Sequence, residues 1–281
     1  MWMFFALAFG VIKGIREIVK KESMKKNTIM EVLLLYTLLS FLFVSPGLKE
    51  SISVHPTTIL VIAIKSFCVF CTWILSFYAI SNMPISLYGV LDLYRVLFST
   101  LLAIIVLNER LVFASTLGLI LVSLGLLLLR NPFIKTKEKV SPVIIILAII
   151  SCFLNAVSGL LDKILMKDLT SAQLQFWYML FLVMYYALYF VFTRTKVNFV
   201  SSIKNYWIWI LALLLVIGDR CLFIANGYPD SRITIMTILK QSSCIITIIA
   251  GKFLYKEKDI VHKFICAVII ICGIVISAVY T

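Results

Sequence analysis

The chain contains ten apolar runs of 18 to 24 residues, and this feature constrains its fold more than any other. A helix needs about 20 mostly apolar residues to cross the hydrocarbon core of a bilayer. The runs are continuous rather than alternating, which favours helices over the strands of a membrane barrel. They cover residues 2–19, 28–45, 57–80, 85–107, 111–129, 142–165, 172–192, 206–226, 233–254 and 260–279. We therefore predict an all-α membrane protein with ten transmembrane helices.

The composition also indicates an integral membrane protein. Of the 281 residues, 62% are hydrophobic and 14% are charged, whereas soluble domains average about 45–50% apolar and about 25% charged residues. The first apolar run has no basic region before it and no small-residue cleavage site after it. We interpret it as a membrane helix rather than a removed signal peptide, and we predict a location in the cell (inner) membrane.

The net charge of +13 predicts an orientation rather than a nucleic-acid partner, because Lys and Arg lie mainly in short loops between apolar runs. Fifteen cations share one side: Lys20, Lys21, Lys25, Lys26, Arg130, Lys135, Lys137, Lys139, Arg194, Lys196, Lys204, Lys252, Lys256, Lys258 and Lys263. Four lie on the other: Lys49, Arg110, Lys167 and Arg232. The positive-inside rule makes the first side cytoplasmic and both termini external.

The second half of the chain repeats the first. The run "LNERLVFASTLGLILVSLGLLLL" resembles "YKEKDIVHKFICAVIIICGIVIS", which aligns Glu109 with Glu257, and "GIREIVKK" aligns with "GLLDKILM". Each unit has five crossings, and an odd number inverts the second unit in the membrane. The predicted organisation is a first five-helix repeat at 1–129, a basic connecting loop at 130–141 and a second repeat at 142–281.

The stretches "PISLYGVLDLYRVLFSTLLAIIVLNERL" and "PDSRITIMTILKQSSCIITIIAGKFLYKEKDI", with ten helices in two halves, resemble the drug/metabolite transporter (DMT) superfamily and its EamA-type members. The resemblance covers nearly the whole chain. It implies export or exchange of small metabolites through a cavity between the halves. Members are usually described with cytoplasmic termini, which differs from the orientation that the loop charges predict. The family's proline midway along helix four is absent, and Arg95 lies at about that position.

Polar residues inside the apolar runs are the candidate substrate site, because inverted-repeat transporters bind substrate near the bilayer midplane and charges there usually face a cavity or a partner. In helix four, the 4, 3, 4 spacing of four residues puts them on one face. A second polar stripe on helix nine includes Lys240, and helix eight adds an adjacent Asp–Arg pair. The predicted substrate-binding residues are Tyr88, Asp92, Arg95, Ser99, Lys240, Gln241, Ser243, Asp219 and Arg220.

These charges predict an anionic or zwitterionic substrate. The apolar runs contain two more cations than carboxylates near the midplane, and this excess disfavours a lipophilic cation. The cations are Lys65, Arg95, Arg220 and Lys240, and the carboxylates are Asp92 and Asp219. We expect Arg95 and Lys240 to hold an anionic group while Asp92 faces Lys240 across the repeat axis. A proton or a counter-substrate is a candidate for coupling, and Asp92 or Asp219 would carry the proton.

Structural roles are the alternative for each of these residues. Internal salt bridges would explain why Asp92 lies inside the membrane, paired with Arg95 or Lys240. The same explanation applies to Lys65. Glu109 and Glu257 are expected to stabilise helix N-termini. The remaining charges lie near the ends of helices one and six, where snorkelling to the interface is expected and gating of the cavity mouth is the alternative. These residues are Lys13, Arg16, Glu17, Asp162 and Lys163.

The sequence contains no signature of an enzyme or of a cofactor site. It has no P-loop, no G-x-S-x-G and no H-E-x-x-H motif. The seven cysteines lie in apolar runs and are interpreted as small hydrophobic residues, including the "CVFC" at 68–71. We predict a secondary transporter that works by alternating access, with a small-molecule substrate and the lipid bilayer as its partners and no catalytic residue, metal, cofactor or nucleic acid. A non-transporting scaffold or receptor and a multidrug or cation exporter are the alternatives.

Overall fold

A computed structural model describes residues 1–47, 54–107, 140–194, 199–231, 233–257 and 260–279, with single positions between 117 and 128. These residues are almost entirely helical, and no strand occurs among them. The helices are α1 Trp2–Ser23, α2 Ile29–Val44, α3 Pro56–Asn82, α4 Ile85–Leu91, α5 Tyr94–Leu107, α6 Pro142–Leu165, α7 Ser171–Thr193, α8 Phe199–Ile203, α9 Tyr206–Gly227, α10 Ile233–Lys240, α11 Ser242–Phe253 and α12 Ile260–Val279.

Nine of the ten predicted membrane segments are helical in this structure, and the tenth, 111–129, lies largely outside the described residues. Among the described residues, five spans are long and apolar enough to cross a bilayer: Pro56–Asn82, Ile85–Val106, Pro142–Leu165, Ser171–Thr193 and Tyr206–Gly227. Large apolar side chains are exposed along these helices, for example Leu60, Ile105 and Val143. An apolar exterior of this kind fits a lipid environment rather than water.

Helix starts follow the local sequence. The Thr28 hydroxyl accepts from the backbone N–H of Glu31, whose side chain returns a bond to Thr28, and Thr170 forms the same capping box with Gln173. Proline opens α3 and α6, where its missing N–H costs no helical hydrogen bond.

Two spans are broken near the middle, and the breaks occupy matching places in the two repeats. The fourth span, formed by α4 and α5, is interrupted at Asp92 and Leu93, and the ninth span, formed by α10 and α11, at Gln241. At the first break, Leu93 N–H bonds Val90 C=O at 3.1 Å and Arg95 N–H bonds Asp92 C=O at 3.1 Å. These are tight i to i+3 bonds, and such turns inside a span often mark functional positions. Neither break contains proline.

The first helix lies inside the bundle, where it packs against α9, α10 and α11. Gly10 allows this approach, since a Cβ there would lie 2.6 Å from the Leu239 carbonyl oxygen just before the second break. The polar side of α1 therefore points into the protein and not toward a membrane surface.

Candidate functional site

Two adjoining chambers lie in the middle of the bundle. The first has an empty volume of about 580 Å³, including its open part, and the second about 560 Å³. Both are lined by Phe9, Arg95, Asn155, Asp162 and Leu222. The chambers are therefore neighbouring parts of one central site, and residues from both halves of the chain form it.

The first chamber combines charges with aromatic rings. Its remaining lining residues are Lys13, Arg16, Glu17, Lys20, Lys65, Val69, Trp73, Ser76, Tyr88, Ser158, Tyr178, Asp219 and Phe223. The Nζ of Lys65 lies 3.8 Å from the centre of the Tyr178 ring, and that of Lys20 lies 5.0 Å from the centre of the Phe77 ring. Cation–π contacts of this kind attract an ammonium group to the face of an aromatic ring, so the rings help to hold the two lysine side chains in place.

Three ion pairs balance most of the charge in this chamber. Lys65 Nζ lies 2.9 Å from Asp162 Oδ1, and Lys20 Nζ lies 3.0 Å from Glu17 Oε1. Asp219 lies 3.4 Å from Arg16 and also accepts a 2.5 Å hydrogen bond from the Tyr178 hydroxyl. Each of these carboxylates has one cationic partner, which offsets its desolvation cost.

The fourth carboxylate is shared. Asp92 accepts from Lys13 of α1 and, at 2.6 Å, from Arg95 of α5. Asp92, Lys13 and Arg95 are 3%, 2% and 8% exposed. One negative charge thus lies between two positive charges at the break of the fourth span, and this triad carries a net charge of +1.

Lys240 completes the set of cations from the other repeat. It lines the second chamber with Arg95, Ser99, Asn155, Gly159, Asn226 and Met236. Its Nζ lies 5.8 Å from the centre of the Phe9 ring, and no described carboxylate lies within 4.0 Å of it. The central site therefore holds six cations against four carboxylates, and the excess of two positive charges borders the second chamber.

The structure brings together most of the predicted site residues. Tyr88 and Asp219 line the first chamber, Ser99 and Lys240 line the second, and Arg95 lines both. Asp92 lies behind the lining, where it bonds Lys13 and Arg95 instead of facing Lys240. The expected Asp92–Lys240 pairing is wrong, because Lys13 of α1 and Arg95 of α5 each take one oxygen of the Asp92 carboxylate.

Besides Asp92, three predicted residues line neither chamber. Arg220 turns away and donates a 3.2 Å hydrogen bond to the Ser171 hydroxyl. Gln241 and Ser243 are buried at the second break, 1% and 3% exposed. Asp219 and its neighbour Arg220 point in different directions because adjacent residues are about 100° apart on a helix.

The snorkelling interpretation of helices one and six is wrong for four of its five residues. Lys13, Arg16, Glu17 and Asp162 are 2%, 8%, 4% and 5% exposed, and all four line the first chamber. The predicted first helix ended at residue 19, whereas α1 continues to Ser23, which places Lys13 near its middle. The fifth residue, Lys163, donates to the carbonyl oxygens of Asn226 and Tyr228.

Two types of lining residue were missed in the sequence. Asn155 and Asn226 are single polar residues in apolar helices, and Trp73 and Tyr178 belong to aromatic-rich helices where any of several rings could face inward. The charges of helix one did carry a signal, because their spacing of three to four residues puts them on one helical face. These residues are Lys13, Arg16 or Glu17, and Lys20.

A carboxylate from the second repeat contacts the start of the fourth span in the first repeat. Glu257 accepts from the backbone N–H groups of Ile85 at 2.7 Å and Ser86 at 3.1 Å, and also from the Ser86 hydroxyl. Lys21 and Lys263 lie 3.9 Å and 3.8 Å from it. Glu257 thus caps the start of α4 in the other repeat, where its negative charge meets the positive helix N-terminus. The sequence predicts this role at the junction of helices nine and ten instead. Its repeat counterpart Glu109 lies outside the described residues.

No metal site accompanies these groups, since the described residues contain no cluster of three or more His, Cys, Asp or Glu side chains that could hold an ion. Cys152, Cys244 and Cys266 are buried, whereas Cys272 is exposed.

Comparison with known proteins agrees with this architecture. The sequence matches the EamA-like transporter family over residues 1–131 and 142–279, one segment for each repeat. A protein of known crystal structure shares the fold with a TM-score of 0.71, over 99% of this chain and 96% of that chain, at 14% sequence identity. No curated protein matches the sequence.

Proposed function

The chain belongs to the EamA-like transporter family of membrane proteins, and we propose that it is a secondary transporter of a small anionic or zwitterionic metabolite. The observation that carries the proposal is the central site, which holds six cations and four carboxylates. One of the cations, Lys240, has no described carboxylate partner. Buried charge of one sign favours a solute of the opposite sign.

The two broken spans supply the movement that transport requires. Discontinuous helices at the midplane of a repeat protein are common at transporter binding sites. Here Arg95 lies three residues after the break at Asp92, and Lys240 directly precedes the break at Gln241. We propose that rocking of the two repeats about this site opens it alternately to either side of the cell membrane, with the ten predicted helices all crossing the bilayer.

Two alternatives are weaker. A scaffold or receptor needs no central chamber and would have charges that balance completely, but two positive charges are left over in this site. A cation exporter would have to bring a further positive charge next to Lys240 and the Lys13–Asp92–Arg95 triad, where like charges repel.

The proposal is tested by uptake and counter-exchange in proteoliposomes with a panel of small anions, zwitterions and cations of similar size. We expect saturable transport of at least one anion or zwitterion, inhibited by other anions and unaffected by cations. Transport restricted to cations, or no transport of any solute by protein that is correctly folded, would contradict it. The same panel with empty vesicles measures the leak.

A further inference from the structure

The second chamber has a charge balance that fits a doubly negative group. The three pairs Lys65–Asp162, Lys20–Glu17 and Arg16–Asp219 are each neutral. The shared carboxylate Asp92 leaves one positive charge on Lys13 and Arg95, and Lys240 adds a second. Arg95 and Lys240 both line the second chamber, so the two uncompensated charges meet there.

Two hydrogen-bond donors without partners belong to residues that line the same chamber. One acceptor of a lining residue, Asp162 Oδ1, also makes no hydrogen bond, although it lies 2.9 Å from Lys65 Nζ. Among the described residues, Arg95 Nε and Asn226 Nδ2 are buried and make no hydrogen bond, and both residues line the chamber. A buried donor left unsatisfied is costly. Its presence at a cavity wall therefore points to a ligand oxygen that completes the bond.

These donors surround the chamber from four different helices. Arg95 comes from α5, Asn155 from α6, Asn226 from α9 and Lys240 from α10. Among the described lining residues, the only carboxylate is Asp162, which is ion-paired with Lys65. Donors from several directions suit a tetrahedral oxyanion better than a planar carboxylate, and guanidinium groups bind phosphate oxygens through their fork.

We propose that the second chamber binds a dianionic tetrahedral oxyanion of the phosphate-monoester type, and that Asn226 selects it by donating its amide N–H to one oxygen. This inference rests on the proposed transport of an anion and narrows its class. The remainder of the solute would extend into the first chamber, whose walls carry Trp73, Tyr88 and Tyr178.

The test is equilibrium binding of methyl phosphate to the purified full-length protein, compared with sulfate and acetate. A phosphate monoester loses its second proton at about pH 6, whereas sulfate keeps two negative charges throughout. The affinity for methyl phosphate relative to sulfate should rise roughly tenfold between pH 5 and pH 7. The ratio removes any titration of the protein itself, since both ligands sense the same site. Acetate should bind at least tenfold more weakly than methyl phosphate at pH 7.

Asn226 is tested with two variants and a control. Asn226→Leu should weaken methyl phosphate binding about tenfold to a hundredfold, because one hydrogen bond to a charged group is lost. The isosteric Asn226→Asp should weaken methyl phosphate binding further, because it adds a negative charge next to the negative ligand. This variant replaces Asn226→Leu in the test if the leucine variant fails to fold. Asn82→Leu, at an exposed asparagine near the corresponding end of α3, should leave the affinity unchanged.

Acetate binding as tight as that of methyl phosphate, a ratio to sulfate that does not change with pH, or parental affinity in folded Asn226→Leu and Asn226→Asp would each overturn the inference. If the vesicle panel still shows anion transport in that case, only the phosphate assignment fails. If no anion is transported either, the proposed function fails with it.

Discussion

Lys13, near the middle of the first helix, forms a buried ion pair with Asp92, the residue at which the fourth span breaks. Arg95 holds the other oxygen of the same carboxylate at 2.6 Å. The break is thus fixed by a charge from a different helix, and not by proline. Any movement of α1 relative to the fourth span must therefore stretch or exchange this contact.

Removing Asp92 should destabilise the protein strongly. Asp92→Asn leaves Lys13 and Arg95 as neighbouring buried cations, and loss of one partner from a buried pair costs about 3–5 kcal/mol. The melting temperature of the purified protein should fall clearly. The double variant Asp92→Asn/Lys13→Met should recover much of the lost stability, because it removes one of the two unpaired charges.

The control for this prediction lies at the end of the first helix, where Lys25 follows α1. Lys25 and Glu22 form a pair at 2.7 Å in which the Lys25 side chain is 59% exposed, and exposed pairs contribute at most about 1 kcal/mol. Lys25→Met should therefore barely change the melting temperature. An Asp92→Asn variant as stable as Lys25→Met would show that the triad does not hold the break.

Glu257 should contribute to stability through its cap on α4. Glu257→Ala removes the acceptor for two backbone N–H groups, and loss of a helix cap costs about 0.5–2 kcal/mol. Glu257→Gln keeps one acceptor oxygen and should lie between the parent and the alanine variant in thermal unfolding. An alanine variant with the parental melting temperature would argue against the cap.

The orientation is tested by a reporter that is active only in the cytoplasm. The sequence count of fifteen cations on one side against four on the other predicts a cytoplasmic 130–141 segment and external termini. Lys20 and Lys263 of the larger set are buried inside helices, 4% and 3% exposed, so thirteen cations remain against four and the predicted orientation is unchanged. A fusion after Thr281 should be inactive, and one within 130–141 should be active. Activity after Thr281 would reverse the orientation.

Proton coupling makes a separate prediction about the carboxylates. If transport responds to a pH gradient, one of two variants should abolish the component that the gradient drives. The first is Asp219→Asn. The second is Asp92→Asn combined with Lys13→Met, which keeps the charge balance. Counter-exchange should continue, because exchange needs no net proton movement. Unchanged gradient dependence in both variants would exclude Asp92 and Asp219 as carriers.

The sequence predicts the helices well because long apolar runs have few alternative folds. Nine of the ten predicted segments are helical in the described part of the chain, and the breaks are the main feature that was missed. Neither proline nor glycine marks them. The break at Asp92 coincides with an ion pair to Lys13, a residue 79 positions away, which no local pattern could indicate.

The site is harder to predict, because a charge near a predicted helix end has two outcomes that look alike in sequence. Lys13 and Arg16 were assigned to the interface, yet α1 is longer than its apolar run and lies inside the bundle. Arg220 shows the reverse error, since it occurs deep in an apolar run but bonds Ser171 outside the chambers. Which side of a helix faces the cavity depends on packing between helices that are distant in sequence.

The most direct test of the central claim is the affinity of Arg95→Gln and Lys240→Gln for the anion that the vesicle panel identifies. Each variant should bind about tenfold to a hundredfold more weakly, because losing one charge-assisted hydrogen bond costs about 1.5–3 kcal/mol. The matched controls are Arg220→Gln and Lys252→Gln, at residues that line neither chamber, and they should keep the parental affinity. Parental affinity in folded Arg95→Gln and Lys240→Gln would contradict the assignment of this chamber as the binding site.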